Sequence, residues 1–308
     1  MIWVSFGLLV LAIAVAPLVV EWLRRPMDAR ARRMGTGDFA DLSRGLTYYQ
    51  WIGPSRGPVV VCVHGLTTPS YVWLPLAQAM TALGMRVLIY DLYGRGLSDR
   101  VAGRQDREFF VGQLKELLDA LEIKQGVTLM GYSMGGAIAA AYAADHPELV
   151  DRLVLIAPCG LGIRQTRFAE FVARVPVVGD WLMRVVGGIV FRRGINRKLE
   201  VDPALPDILD RAAGEMGIRG TLPAVLASQR AMLVADLADT HRTLARTSLP
   251  VLGVWGAEDK VIPLSSLGQL AQINRTARVV EVEGATHALP YTHVGAIMTA
   301  LTDFLRQD

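Results

Sequence analysis

Cysteine is almost missing from this sequence. Its 308 residues include two, Cys62 and Cys159, and only five histidines. No CxxC pair and no Cys/His cluster occurs, which excludes a disulfide framework and a zinc site of familiar spacing. Each cysteine sits in or just after an apolar run, where a lone thiol behaves as a small buried hydrophobe. A reducing compartment suits that usage. Charge is sparse too: 20% of residues are charged against 52% hydrophobic, and such a chain is globular, not disordered. The net charge of +3 is too small to point to nucleic acid. Repeats and low-complexity tracts are absent. At this length the chain builds one enlarged domain rather than two equal ones.

The charge that is present is unevenly spread. Residues 21–33 carry five Arg against Glu21 and Asp28, and residues 161–200 carry seven Arg and Lys198 against Glu170, Asp180 and Glu200. The remainder is net negative, and a shared anionic surface is one physical reason for two basic clusters. Ahead of the first cluster, residues 2–20 have no charged side chain at all. At ~1.5 Å per residue that run roughly spans the ~30 Å hydrocarbon core of a bilayer. Pro17 near its end is tolerated in membrane helices, and Trp3 and Trp22 suit the two interfaces. A cleaved signal peptide is the competing reading, with Ala12-Ile13-Ala14 or Ala14-Val15-Ala16 as the small-residue site. No Lys or Arg precedes the run and the Arg cluster follows it, which favours an uncleaved single-pass anchor with the folded domain on the cytoplasmic side.

After a polar, glycine-containing linker, strand-like and helix-like patterns alternate. Residues 59–63, 86–90, 127–130, 153–156, 251–255 and 277–282 read as short strands, apolar enough to be buried on both faces of a parallel sheet. Phe110, Leu114, Leu117, Leu118 and Leu121 recur at helical spacing, as do Val294, Ile297, Met298, Leu301, Phe304 and Leu305. The expectation is an α/β fold: a mostly parallel sheet flanked by helices. From 161 to 247 no strand pattern appears, only helical segments, too long for a loop and therefore a helical insertion over the sheet. The expected segments are 1–23 anchor, 24–44 basic linker, 45–160 first part of the core, 161–247 insertion and 248–308 second part of the core.

The chemistry centres on Gly131-Tyr132-Ser133-Met134-Gly135, between strand 127–130 and the helix-like AIAAAYAA. Glycines flanking a serine let the backbones crowd at a sharp strand-to-helix turn and project the hydroxyl toward substrate. That hydroxyl is a poor nucleophile without a base within hydrogen-bond reach. The base is expected late in the chain, after the serine and the acid. His287 follows strand 277–282 at the sheet end where such folds place their sites. His293 opens the last helix, His146 closes a helix before Pro147, and His241 reads as a surface or capping residue of the insertion. The acid that orients the imidazole is Asp259 or its neighbour Glu258, just after strand 251–255. The anionic intermediate needs two backbone donors: the amide of Met134, and that of Leu66 in the loop after strand 59–63. His64, in that same loop, reads as structural.

Five segments in this order, His64-Gly65, Asp91-Leu92-Tyr93-Gly94-Arg95-Gly96-Leu97-Ser98, Gly131–Gly135, the stretch from Gly256 to Pro263, and Gly284-Ala285-Thr286-His287, resemble the α/β-hydrolase superfamily from about residue 45 to the C-terminus. The resemblance implies a Ser-Asp-His triad of Ser133, Asp259 and His287, since relatives with a G-x-x-D-x-x-x-P segment use that Asp. It implies no cofactor and no metal. With an anchor helix ahead of the domain, the chain is most similar to membrane-anchored, monoacylglycerol-lipase-like (ABHD-type) hydrolases. That similarity implies a helical lid at the insertion and acyl esters, lipid-like, as substrates. Phe168, Phe171, Val172, Trp181, Leu182, Val185, Val186, Ile189 and Phe191 of the insertion then either touch the bilayer or pack the lid on the core. Carbon–carbon bond hydrolases, peptidases and acyltransferases share the same three residues. A non-catalytic membrane-tethered scaffold is the alternative from another class.

Overall fold

The computed structural model describes residues 2–124, 126–201 and 206–306. Eight strands form one sheet: β1 (Asp38–Leu42), β2 (Gly45–Ile52), β3 (Val59–Val63), β4 (Arg86–Tyr90), β5 (Val127–Tyr132), β6 (Val150–Ile156), β7 (Val251–Gly256) and β8 (Arg278–Val282). Their order is β1-β2-β4-β3-β5-β6-β7-β8. β1, β2 and β4 pair antiparallel, and every other neighbouring pair is parallel. The near-continuous apolar runs of β3, β5 and β7 are buried as a two-sided sheet requires. β1 and β2 lie across the region expected to be linker and the start of the core. Their mixed sequences, DFADL and GLTYYQWI, alternate too weakly to stand out.

From β3 the chain runs to β4 on one side, then crosses to β5 on the other. Strand order therefore reverses beside β3, and the crevice beyond the strand ends at such a point is where α/β sheets bind ligands. The loop after β3 and the turn after β5 both open into that crevice. Helix Met134–Asp145 packs directly on the sheet, buried from Met134 to Ala143. Its sequence, MGGAIAAAYAAD, is dominated by residues with almost no side chain, which permits the close approach.

Between β6 and β7 the insertion is helical: Arg167–Arg174, Val178–Leu182, a π-turn over Met183–Gly187, Gly188–Val201, Pro206–Glu215, Thr221–Gln229 and Ala238–Leu244. Val172, Met183, Met216, Leu222, Val225 and Leu226 form an apolar core of their own, apart from the core around the sheet. The apolar side chains expected to touch either bilayer or core divide between two faces. Val172 is fully buried, with Phe168, Leu182 and Phe191 packed on that small core, whereas Phe171 and Ile189 are about half exposed. Residues 2–23 form one helix, Ile2–Leu23, long and apolar enough to cross a membrane.

Candidate active site

Ser133 stands between β5 and helix Met134–Asp145 with φ 55° and ψ −120°, a region a non-glycine residue occupies only under constraint. The constraint is visible. Ser133 N–H donates to Ile156 O at 3.0 Å, while Ser133 O accepts from the amides of Gly136 and Cys159 at 3.0 and 3.1 Å. The glycines around it have no room for a side chain. A Cβ on Gly131 would lie 2.4 Å from Gly135 O, one on Gly135 2.1 Å from Val63 O, and one on Gly136 2.6 Å from Pro158 Cβ.

His287 Nε2 lies 3.1 Å from Ser133 Oγ, and His287 Nδ1 lies 2.7 Å from Asp259 Oδ2. The other carboxylate oxygen of Asp259 accepts from Val261 N–H and Ile262 N–H at 2.8 and 2.9 Å. One oxygen is thus fixed by backbone and the other is left for the imidazole. Glu258, its neighbour, is exposed. Hydroxyl, imidazole and carboxylate form a line along which a proton can leave the serine.

The loop after β3 abuts this line: a Cβ on Gly65 would be 3.3 Å from Ser133 Cβ. Among the described residues, neither Leu66 N–H nor Met134 N–H donates to a backbone carbonyl. Two amides, one in the loop that abuts Ser133 and one directly after it in the chain, are therefore left without a backbone partner; an oxyanion needs two such donors.

The remaining histidines are elsewhere. His64 is buried, with its Nε2 accepting from Leu92 N–H at 2.9 Å and its Nδ1 2.8 Å from Gly65 O. Burial, with help from the nearby Arg95 cation, pushes its pKa down to about 3, so it is a neutral strut. His146 closes helix Met134–Asp145 and His293 opens helix Val294–Leu305. His241 corrects the sequence reading: it is not at the surface but fully buried, and burial lowers its pKa to about 4. Both cysteines are buried and free, the Cys159 thiol pushed up to about 12 by desolvation.

Two supporting residues went unremarked in the sequence. The hydroxyl of Tyr132, the variable residue before the serine, donates to His287 O at 2.7 Å, and its ring lies 5.1 Å from the imidazole centroid. Arg95 is buried in the D-x-x-G-x-G-x-S turn. Its Nε donates to Leu66 O at 3.0 Å, and its other nitrogens reach Tyr93 O, Gln105 Oε1 and Ser228 Oγ at 2.9, 2.5 and 2.7 Å. It ties the Leu66 loop to helix Thr221–Gln229 of the insertion. The only signal for it was an arginine between two glycines in an otherwise structural turn.

Ser133 and His287 open into a cavity of about 330 Å³ roofed by the insertion. Its walls include Ile163, Phe168, Val190, Phe191, Leu209 and Leu233, with Arg164 and Gln229 among the polar groups. Among the described residues no group of three or more His, Cys, Asp or Glu side chains is gathered to hold a metal.

The chain is 28% identical to the 2-hydroxymuconate semialdehyde hydrolase of Pseudomonas sp. strain CF600, over 80% of this chain and 87% of that one. It matches uncharacterized mycobacterial proteins, one from Mycobacterium tuberculosis, at 28% identity over 68% of its own length, but spans only 63% of theirs. Among solved structures it superposes on an enol-lactonase from Burkholderia xenovorans LB400, with TM-score 0.75 and 23% identity, covering 88% of this chain and all of that one. It also superposes on a membrane phospholipase A, described as a bacterial virulence factor, with TM-score 0.69 and 22% identity, covering the whole of both chains. The family model for the α/β hydrolase fold matches residues 58–294, from β3 through β8 to the start of the last helix and so across every element that carries the serine, the carboxylate and the imidazole. The chain belongs to the α/β-hydrolase fold family.

Proposed function

We propose that this protein is a serine hydrolase of carboxylic esters with lipid-like acyl groups, monoacylglycerols or similar, working from a membrane through its N-terminal helix. The observation that carries the reading is the Ser133–His287–Asp259 line, at 3.1 and 2.7 Å, on the floor of a largely apolar cavity. Ser133 attacks the acyl carbon as His287 takes its proton, and the amides of Leu66 and Met134 receive the developing oxyanion. His287 then protonates the leaving alcohol and activates water, while Asp259 holds the imidazole in the required tautomer. The apolar walls suit an acyl chain, and the structural likeness to a phospholipase spans both chains end to end. The helix is read as an uncleaved anchor with the catalytic domain on the cytoplasmic side, because the Arg cluster follows it. Its hydrogen bonds to the rest of the fold, described below, also favour retention.

Carbon–carbon bond hydrolysis is a second reading. Arg164 lines the cavity and offers a cation to a carboxylate substrate, and the Pseudomonas relative is named for a semialdehyde of that kind. Purified protein profiled against p-nitrophenyl esters, monoacylglycerols and a ring-cleavage dienoate separates the two. Ester turnover with fluorophosphonate labelling of Ser133 is expected, and labelling should vanish in Ser133→Ala. Ser133→Ala and Asp259→Asn should each lower kcat by about 10³-fold or more. Equal labelling of Ser133→Ala would remove the serine from the mechanism, and turnover of the dienoate alone would select the second reading.

A further inference from the structure

A proline inside a helix leaves a defect at a known atom. Pro17 has no N–H, so the carbonyl four residues earlier, that of Ile13, has no partner within helix Ile2–Leu23. The indole N–H of Trp181, on helix Val178–Leu182 of the insertion, donates to that oxygen at 2.7 Å. The insertion has a defect of its own. Met183–Gly187 is a π-turn, where the regular ladder is interrupted, and Arg184 O accepts from the Arg24 guanidinium at the foot of the N-terminal helix. Arg219 caps the carbonyls of Glu21, Trp22 and Arg24, and Gly220 N–H donates to the Glu21 carboxylate. The half-buried residues of this stretch, Ala16, Pro17, Val20, Glu21 and Arg24, recur at helical spacing. One face is thus committed to the insertion.

We propose that Trp181 and the Pro17 defect form a latch that docks the insertion on the membrane-inserted helix, so that the acyl cavity opens sideways into the bilayer. This rests on the membrane reading above. The occupant of the exposed apolar face is then the lipid acyl layer. Phe171, Val177, Val178 and Ile189 are 47–79% exposed, on or beside helices Arg167–Arg174 and Gly188–Val201. Those same two helices turn Phe168, Val190 and Phe191 into the cavity. Ile13 lies ten residues before Leu23, about 15 Å along the axis and so about half the ~30 Å hydrocarbon thickness. The latch therefore holds this face against the acyl layer, while Arg167, Arg174, Arg192 and Arg193, exposed on the same two helices, extend their charges to the headgroups, and a lipid ester slides between the two helices without crossing water. Trp181 is a positioning residue, remote from the reacting atoms.

The test uses the full chain in phosphatidylcholine vesicles brominated either near the acyl midpoint or near the headgroups, as wild type, Trp181→Phe, Pro17→Ala and the double variant. The fluorescence lost in Trp181→Phe should be strongly quenched by bromine. Apparent KM for a long-chain ester carried in the bilayer should rise about fivefold in Trp181→Phe, the worth of one hydrogen bond, with kcat on a water-soluble butyrate ester unchanged. Pro17→Ala returns a helical partner to Ile13 O, so adding Trp181→Phe to it should cost little more. A Trp181 signal unquenched at the midpoint, beside Trp3 and Trp22 quenched by bromine near the headgroups, overturns the latch alone, as do additive variants or equal losses on both esters. If Trp3 and Trp22 also escape quenching by bromine near the headgroups, the membrane reading fails and the latch with it.

Discussion

At the scale of single residues, the site stores strain in one place and spends burial in several. The positive φ of Ser133 costs about 1–3 kcal/mol, met by the hydrogen bonds and close-packed glycines that leave the turn no alternative. His241 is a different expense. It is fully buried, and neither ring nitrogen has a partner among the described residues. Burial holds its pKa near 4, below the unfolded value of 6.5. A base depressed in the folded state contributes stability that is complete above the unfolded pKa and is lost as pH falls toward the folded one. Between about pH 6.5 and 4, His241 should therefore cost the fold up to about 1.4 kcal/mol per pH unit. His241→Leu should flatten the loss of stability across that window, measured by denaturant unfolding at pH 7 and 4.5. A profile as steep as wild type would mean that the ring is protonated in the native state.

At the scale of elements, the strand-to-helix turns were the legible part and the supports between them were not. Strands 59–63 and 86–90 are delimited in the sequence as they are in the fold, because apolar runs bounded by polar turns leave little choice. The serine turn announces itself through glycines whose absent Cβ atoms the packing demands. Preferring Asp259 to Glu258 needed a family pattern, since two adjacent carboxylates look alike until one is seen facing His287. β1 escaped notice because an edge strand of polar and aromatic residues carries no strong period. His241 misled for a related reason: a polar residue in a helical insertion gives no sign of being roofed by its neighbours. Arg95 was hidden because its partners come from residues as far away as Ser228. Its guanidinium fork fastens the Leu66 loop, so Arg95→Lys, which keeps charge but not the fork, should lower kcat about tenfold or more, short of the 10²–10³-fold loss of a whole oxyanion donor. Kinetics on a soluble ester, with circular dichroism as the check on folding, measures this. An unchanged kcat would mean that the loop holds its place alone.

At the scale of the whole molecule, both basic clusters of the sequence present arginines to solvent. Arg25, Arg30, Arg164, Arg167, Arg174, Arg192 and Arg193 are exposed, and each cation near an anionic leaflet is worth about 1 kcal/mol. A chain lacking residues 2–23 should still bind phosphatidylglycerol vesicles in co-sedimentation and release them as salt rises toward ~1 M, where the Debye length shrinks to ~3 Å. Salt-insensitive or absent binding would confine membrane affinity to the apolar helix.

The separate apolar core of the insertion, built on Val172, Met183, Met216, Leu222, Val225 and Leu226, has a consequence for how such a molecule changes over time. A roof with its own interior is a cooperative unit, able to loosen while the sheet stays intact. Substitutions within that interior are felt by the roof before they are felt by the sheet. Selection can therefore retune chain-length preference in one unit while the nucleophile, its base and its acid are inherited untouched in the other.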